Sequence, residues 1–455
     1  MKIIKTIPLV SIFLLSLLAG FSANAEIVTD TPAINHADVA WMLTATALVL
    51  LMTPGLSFFY GGMVSKKNVI STMLQSFIAM GLISILWVVC GFSLAFGTSF
   101  GGIIGDPLTY FFFDGVGGAA NAALSPTIPL VLFALFQLKF AIITPALITG
   151  SFAERVRFSS YMLFICLFTV FIYAPLAHWT WHPEGFLRQW GVLDFAGGTV
   201  VHMSAGFAAL AGALVLGRRQ NHIEGVGHTT PAHIPNVLLG TGMLWFGWFG
   251  FNAGSALAAN ELACLAFLTT NTASAAAMLA WLFYDYMQGR KPSALGACIG
   301  AVVGLVAITP AAGFVTVGAS MFIGAVASVI SNIAVHWKSK STLDDTLDVF
   351  PCHGVGGIVG MLMTAVFAKD VGLIFGQTTT FVHHLYALAI VSAFSFFGSY
   401  LLFKITDLII PLRVTPEQEL EGLDISQHGE SLFDMGPAGR PPAGVREERL
   451  LAANS

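Results

Sequence analysis

The chain has 455 residues, of which 56% are hydrophobic and 10% charged, and its formal net charge is -4. An ordinary soluble domain has about a quarter of its residues charged, so this composition excludes a soluble globular protein and predicts one that folds in lipid. The charged residues lie in short segments between apolar runs. They form no basic stripe that could follow phosphates, which excludes nucleic acid as a partner.

The first segment of the chain has the features of a secretory signal. Lys2 and Lys5 precede the apolar run 7–21, and Ala23, Asn24 and Ala25 follow it. This pattern predicts a cleavable signal peptide, residues 1–25, cut after Ala25. The alternative is an uncleaved membrane helix, but the run is shorter than the ~20 residues that cross a bilayer.

Long apolar runs follow the signal along most of the chain. They predict an all-α integral membrane protein with eleven transmembrane helices between residues 26 and 408. The runs are 37–60, 70–96, 127–149, 158–177, 199–216, 235–257, 262–286, 294–308, 314–335, 352–368 and 381–402.

The loops between these runs differ sharply in basic residues. Loops on one side hold only Arg188 and Lys369, and loops on the other side hold twelve basic residues. The twelve are Lys66, Lys67, Arg155, Arg157, Arg218, Arg219, Arg290, Lys291, Lys338, Lys340, Lys404 and Arg413. Because cytoplasmic loops retain Lys and Arg during insertion, the sequence predicts an N-terminus outside and a C-terminus in the cytoplasm.

Residues 409–455 change to a charged and polar composition. They predict a cytoplasmic tail, and a solvated terminus is its simplest interpretation. The part before Asp434 could instead contact a regulator.

One sequence pattern occurs twice, at the starts of the fifth and tenth runs. Asp194 stands eight residues before His202, and Asp345 stands eight residues before His353. Five crossings separate the copies, so they enter the membrane from opposite faces. This indicates two five-helix inverted repeats plus a final helix, with a substrate path between the halves. A coincidental match is the alternative.

The two histidines lie a short way into apolar helices, where an ionisable group is unfavourable unless it faces a pathway or a partner. Two imidazoles that share a hydrogen bond could line a narrow pore and pass a proton. In a soluble protein, two satisfied core histidines would be the better interpretation. Asp194 could cap the fifth helix or bind a cation directly; capping is favoured because a bare carboxylate would hold a cation too tightly for turnover.

Several aromatic residues lie near the predicted outer ends of their segments. Phe140, Trp181 and Phe251, with the hydroxyl of Ser255, could attract a small cation to a ring face. Because the chain has 38 Phe residues, a packing role is the alternative for any single ring.

Eleven short stretches, spread over nearly all of the chain after the signal, match one known family. They are 54–55, 59–62, 140–144, 152–158, 194–202, 247–255, 348–350, 353–357, 412–414, 421–424 and 428–431. Taken together, these stretches resemble the ammonium transporters of the Amt/Mep/Rh superfamily, and the Amt branch fits better than the Rh branch.

The resemblance implies ammonium or ammonia uptake by a homotrimer with one pore per subunit. It also implies a cytoplasmic PII-type signalling protein as partner. Its roles at individual positions are substrate recruitment by Trp181, Phe140 and Ser255, a gate of Phe140 and Phe251, pore histidines His202 and His353, and a vestibule shaped by Asp194.

Two neighbouring residues complicate the recruiting site. Lys139 precedes Phe140, and a cation pointing into the vestibule would repel the substrate, so Lys139 is expected to face away. Trp179 lies close to Trp181, and the family's Ala-His-x-x-Trp spacing selects Trp181.

Two other functions compete with transport. An ammonium sensor would use the same pore to signal to a cytoplasmic partner. A membrane enzyme would need a metal on the histidines, yet Cys352 beside His353 is the nearest further ligand and no carboxylate cluster joins them. The sequence therefore predicts a transporter that is not an enzyme and that uses no cofactor or metal.

Overall fold

A computed structural model describes residues 33–223 and 230–432. The predicted signal peptide and the end of the tail lie outside the described residues. Every one of the predicted apolar runs coincides with a long helix. The largest difference is at the end of the last one, which continues to Ile409. The helices are α1 (His36–Met63), α2 (Val69–Phe96), α3 (Leu130–Phe152), α4 (Phe158–Phe168, continued by Thr169–Tyr173 and Ala174–Trp181), α5 (Gly198–Leu216), α6 (Ile234–Gly254), α7 (Glu261–Met287), α8 (Ala294–Ile308), α9 (Val317–Ser339), α10 (Phe350–Phe367) and α11 (Thr378–Ile409).

Within the described part of the chain, nine helices are long and apolar enough to cross a membrane. The chain is therefore a multi-pass membrane protein. The other two predicted segments are α6, with 21 residues, and α8, with 15. At 1.5 Å per residue, α8 is shorter than the ~30 Å hydrocarbon core of a bilayer, so the span count of eleven stays a prediction.

Short elements connect the helices. The loop after α2 contains two antiparallel pairs, in which Ser99 lies opposite Gly105 and Asn121 lies opposite Ser125. The strands are β1 (Ser99–Phe100), β2 (Ile104–Gly105), β3 (Ala120–Asn121) and β4 (Ser125–Pro129), and the short helical pieces are Phe111–Phe113, Phe186–Gln189, Gln220–Ile223, Leu373–Phe375, Pro416–Glu421 and Asp424–His428.

Polar side chains determine where several helices begin. Asn35 accepts hydrogen bonds from the amides of Ala37 and Asp38, and Ser293 accepts one from Gly296. Asn and Ser can satisfy these amides, which have no partner inside the helix, so they mark helix starts within long apolar sequences.

Small residues bring the central helices into contact. A Cβ atom on Gly240 of α6 would collide with the backbone of Gly55 and Phe59 in α1. Lipid exerts no hydrophobic force between helices, so such close backbone packing holds them together. In α3, 83% of the most apolar stretch is buried, against 28% in α11, which puts α3 at the centre of the bundle and α11 at its edge.

The two copies of the repeated pattern have the same local structure. Both α5 and α10 begin with a π-helical turn that contains the histidine, Gly198–Met203 in one and Phe350–Val355 in the other. Asp194 accepts from three backbone amides at the start of α5, and Asp345 accepts from two at the start of α10. Residues 344–346 lie at the end of the bundle where residues 411–432 pack, called the tail side below. Asp194 lies at the opposite end, the vestibule side.

Candidate functional site

A cavity of about 510 Å³ opens on the vestibule side. Its lining includes Phe140, Trp181 and Ser255, the three residues that the sequence singled out for recruitment, together with Asp194. The rings of Phe140 and Trp181 meet edge to face, with centroids 5.7 Å apart. The cavity thus offers aromatic surface and a hydroxyl oxygen to a cation.

Trp181, rather than Trp179, belongs to this cavity. Its indole Nε1 donates to the carbonyl of Asp194 at 3.2 Å. Trp179 donates instead to the carbonyl of Ile103 and packs against Phe394. The two tryptophans are two positions apart on a helix and so point in different directions.

Both carboxylate oxygens of Asp194 accept hydrogen bonds from the start of α5. One oxygen accepts from the amides of Gly197 and Gly198, and the other accepts from the amide and the hydroxyl of Thr199. Gly197 has φ of +116°, a conformation that favours glycine, and this lets the chain turn back onto the carboxylate. The contacts fit a capping role, with the negative charge at a helix N-terminus.

Two phenyl rings stack beside the wide cavity, one of which, Phe140, also lines it. Phe140 and Phe251 stack with centroids 4.1 Å apart and an interplanar angle of 29°. Both side chains are almost completely buried. The two rings therefore leave little space between their faces.

Below the phenyl rings lie the two histidines, brought together from α5 and α10. The Nδ1 atoms of His202 and His353 are 3.3 Å apart, and the ring centroids are 5.4 Å apart. Only 1% of His202 and 4% of His353 is exposed, so neither ring exchanges freely with bulk water. Close packing of Gly206 on Gly354 permits this approach, because a Cβ atom on Gly206 would collide with the backbone of Gly354.

Two small cavities of about 10 Å³ each adjoin the histidine pair. The first is lined by Phe251 and both histidines, and the second by His353, Tyr60 and Cys352. Each has room for about one water-sized molecule. His353 lines both cavities, so they lie on either side of the same ring.

Two further residues lie beside the pair, and the sequence reasoning assigned a role to neither. Thr309 lies at the end of α8, with its Oγ1 3.3 Å from Nε2 of His202. The indole Nε1 of Trp248 donates to the same hydroxyl at 2.9 Å, and the Trp248 ring lies nearly parallel to that of His202. Trp248 belongs to the matching stretch 247–255 and Thr309 to none, and only the fold shows that both lie beside His202.

His384 is a third residue that the sequence reasoning missed. It is completely buried in α11, and the amide of Leu193 donates to its Nε2 at 3.2 Å. Its Nδ1 lies 2.7 Å from the carbonyl of Thr380, to which it donates. Leu193 directly precedes Asp194, so His384 anchors the segment that forms the vestibule wall. The rule that selected His202, an ionisable residue within an apolar run, would also have selected His384.

Lys139 does not line the vestibule cavity, although both Gln137 and Phe140 do. Its side chain is half-buried on another face of α3. This position agrees with the expectation that it faces away from the recruiting site.

Ion pairs cluster on the tail side. Arg219 contacts Glu154 at 2.6 Å and Asp344 at 2.9 Å, and all three side chains are largely buried. Burial alone would raise the pKa values of the two carboxyl groups, but hydrogen bonds and the charge of Arg219 bring both below their ordinary values. The network joins the loop after α3 to the loops that follow α5 and α9.

The tail packs against the start of α2. Asp424 accepts from the amides of Ile70 and Ser71, so its carboxylate occupies the N-terminus of that helix. Lys67 donates to two carbonyl oxygens of the tail helix, those of Glu419 and Leu420. The first part of the tail is thus an ordered element of the protein.

Among residues 33–223 and 230–432, no group of three or more His, Cys, Asp and Glu side chains is arranged to hold a metal ion. The five cysteines of these ranges form no disulfide. Cys352 and His353 adjoin in sequence, but no third ligand meets them there.

Known proteins of similar sequence and structure cover almost the whole chain. The profile of the Ammonium Transporter Family matches residues 40–433. A putative ammonium transporter of Methanothermobacter thermautotrophicus is 47% identical over 408 residues, which cover 88% of this chain and 98% of that protein.

Two solved structures are similar to the fold. The crystal structure of Candida albicans Mep2 has a TM-score of 0.81 and 35% identity, covering 90% of this chain and 93% of that chain. A structure named Sensor Amt Protein has a TM-score of 0.79 and 31% identity, covering 86% of this chain and 98% of that chain. With a family profile that matches most of its length, this chain belongs to the ammonium transporter family.

Proposed function

We propose that the protein takes up ammonium by recruiting the cation at the aromatic vestibule and conducting it past the phenyl gate to the twin-histidine pore. The observation that carries this proposal is the alignment of three features along one path. Trp181 and Ser255 line the wide cavity, the rings of Phe140 and Phe251 close it, and the histidine pair lies directly behind them.

Acid/base chemistry gives this path its selectivity. An ammonium ion that leaves water needs replacement contacts, which ring faces and the Ser255 hydroxyl supply. Beyond the phenyl rings the lining is apolar except for the histidines. A bare cation is strongly disfavoured there, whereas neutral ammonia is not. Potassium has no proton to give up and is therefore rejected.

The charges of the tail side support an orientation with the tail in the cytoplasm. Arg155, Arg157 and Arg413 lie together there, where Val156 pairs with Arg413 and the Arg157 guanidinium donates to the carbonyl of Pro411. This is the end at which the basic loops predicted from the sequence converge. The vestibule then faces outward in a bacterial inner membrane, as uptake requires.

Membership of the family supports finer proposals on topology and assembly. We infer eleven spans in two inverted repeats plus a last helix, a cleaved signal peptide, and a homotrimer with one pore per subunit. A cytoplasmic PII-type protein would meet the face formed by the docked tail and the loops of Lys67 and Arg219. The mirrored starts of α5 and α10 support the repeats, and the ordered tail supports a regulatory contact.

Uptake of radiolabelled methylammonium by bacteria without their own ammonium carriers tests the proposal. Cells that express the chain should accumulate the label, and excess ammonium should suppress accumulation where excess potassium does not. Cells with equal amounts of the His202→Ala,His353→Ala protein in their membranes are the control. Equal accumulation by wild-type and control cells would refute a transport role for the pore.

Ammonium sensing is the second candidate. It is favoured by the similarity to the structure named Sensor Amt Protein and by the ordered tail, which could report on the state of the pore. A sensor would bind a cytoplasmic partner in an ammonium-dependent way while transporting almost no methylammonium. Measuring partner binding and uptake in the same cells separates the two functions.

A further inference from the structure

Thr309 stands where three polar groups of the pore meet. Its Oγ1 lies 2.8 Å from the carbonyl oxygen of Leu305, 2.9 Å from Nε1 of Trp248 and 3.3 Å from Nε2 of His202. The residue is completely buried, so water does not compete for these contacts. A hydroxyl has one hydrogen to donate and two lone pairs that accept. These three partners therefore use all the hydrogen bonds that the hydroxyl can make.

The identity of each partner decides where the hydroxyl hydrogen points. The backbone amide of Thr309 bonds to Val306 rather than to Leu305, which leaves the Leu305 carbonyl to accept from the hydroxyl. The indole of Trp248 can only donate, so it uses one lone pair of the oxygen. The remaining lone pair faces His202, whose Nε2 must then carry a hydrogen and donate it.

The hydrogen on Nε2 of His202 also determines which nitrogen of His353 is protonated. A neutral imidazole has one protonated and one bare nitrogen, so a hydrogen on Nε2 of His202 leaves its Nδ1 bare. That Nδ1 lies 3.3 Å from Nδ1 of His353, which must therefore be protonated and donate to it. The Nε2 atom of His353 is then the bare nitrogen of the pair, on the ring that borders both small cavities.

We propose that Thr309 is a positioning residue that fixes the tautomers of both histidines, so that Nε2 of His353 is the base presented to the permeating molecule. The inference rests on the proposed function, since it specifies how the pair treats ammonia. An ammonia molecule beside His353 donates an N–H to this nitrogen. A proton arriving at His202 from the vestibule side meets an Nε2 that already carries hydrogen. Inward relay through the pair thus requires both rings to change tautomer.

Nitrogen-15 NMR of the purified protein with labelled histidine tests this assignment directly, because protonated and bare ring nitrogens have well-separated shifts. Signals are assigned by their loss in the His202→Gln and His353→Gln variants. In the wild-type protein at neutral pH, Nε2 of His202 and Nδ1 of His353 should be protonated, and Nε2 of His353 should be bare. A protonated Nε2 on His353 would overturn the proposal.

Matched substitutions test the role of the hydroxyl. Thr309→Val keeps the shape and removes the acceptor, and Thr309→Ser keeps the acceptor. Thr309→Val should mix the tautomers and lower methylammonium uptake about tenfold, the effect of one lost buried hydrogen bond, while Thr309→Ser keeps the wild-type spectrum and rate. An unchanged spectrum in Thr309→Val would refute the positioning role. The predicted spectrum in a protein without uptake would instead refute the transport function and leave the tautomer assignment standing.

Discussion

His202 and His353 are buried in a region where each finds few polar partners. Their mutual contact of 3.3 Å satisfies one nitrogen on each ring, and Thr309 satisfies another on His202. An unpaired buried polar group is unfavourable by about 1–3 kcal/mol, so the removal of one ring also destabilises the environment of the other. At the scale of single residues, the proposed pore therefore depends on the two histidines as a pair rather than on each side chain alone.

The first prediction concerns the inner histidine. His353→Ala removes the donor to His202 and should lower uptake about tenfold while the protein remains folded. Selectivity against potassium should change as well, because the polar path then ends at His202. Uptake assays with and without excess potassium measure both effects. His336→Ala, on the exposed end of α9, is the control and should behave as wild type. Unchanged uptake and selectivity in His353→Ala would contradict the pore role.

The second prediction concerns recruitment. Trp181→Leu removes the ring beside Phe140 in the vestibule and should raise the KM for methylammonium about tenfold, because a desolvated cation–π contact contributes about 1–2 kcal/mol. The maximal rate should change less than the KM. Trp337→Leu, at a side chain that is 71% exposed on the tail side, should leave the KM unchanged. A wild-type KM in Trp181→Leu would exclude the ring from substrate binding.

At the scale of helices, contacts between glycines decide whether the pore residues meet. Gly206 of α5 packs directly on Gly354 of α10, one residue from His353. The same two helices begin in π-helical turns that contain the histidines. Close packing and local winding thus set the distance between the two rings.

Gly206→Ala should therefore separate the two helices. The added methyl group meets backbone, which cannot rotate away, so the protein should lose about 2 kcal/mol of stability and most of its uptake. Gly242→Ala in α6 is the matched control, because a Cβ atom there has nothing within 4 Å. Thermal unfolding in detergent measures the stability of the two variants, and uptake in cells measures their activity. A Gly206→Ala protein as stable and active as Gly242→Ala would show that the contact is loose.

The tail contact gives a prediction for a whole element. Asp424→Ala removes the acceptor of two amides at the start of α2 and should release residues 416–428 from the bundle. The docked tail should lose about 1 kcal/mol of stabilisation when this helix cap is removed. Limited proteolysis should therefore cut the tail several times faster than in the wild-type protein. Glu417→Ala, at an exposed position of the tail helix, is the control. Equal cleavage rates in the two variants would show that other contacts hold the tail.

At the scale of the molecule, the tail-side ion pairs connect loops that are far apart in the sequence. Arg219 joins Glu154 to Asp344, and Gln220 beside it donates to Glu419 of the tail. The tail-side loops and the first part of the tail are thus joined into one connected layer. A change at this layer can reach α10, because Asp345 follows Asp344 and caps that helix.

Arg219→Gln should lower the stability of the protein by about 3 kcal/mol at neutral pH, because two buried carboxylates lose their partner. Arg219 holds both carboxyl pKa values below the ordinary 4.5 and 3.8, so its contribution is complete above pH 4.5 and is lost as the pH falls through the lowered values. The difference in unfolding temperature between wild type and variant should therefore be large at pH 7 and shrink on acidification. Arg218→Gln is the control. A difference that grows at low pH would contradict this account.

The positions of the membrane helices were predictable because whether a segment forms a helix in lipid depends mainly on its own sequence. A run of about twenty apolar residues satisfies its own backbone as a helix wherever it lies in the fold. The same rule explains the imprecise helix ends. The apolar run of α11 stops near Leu402, but the helix continues to Ile409. Family membership was also confirmed, because its motifs are contiguous stretches of sequence.

What only the tertiary structure decided is which side chains meet across helices. The sequence itself determined that His202 and His353 are ionisable groups in apolar helices, each eight residues after an aspartate. Their separation, and the presence of Thr309 and Trp248 beside them, depend on contacts between helices that lie far apart in the chain. Apolar patterning determines that a helix enters the membrane, and packing of small residues determines its neighbours. Packing is a property of two surfaces at once, so no single stretch of sequence contains it.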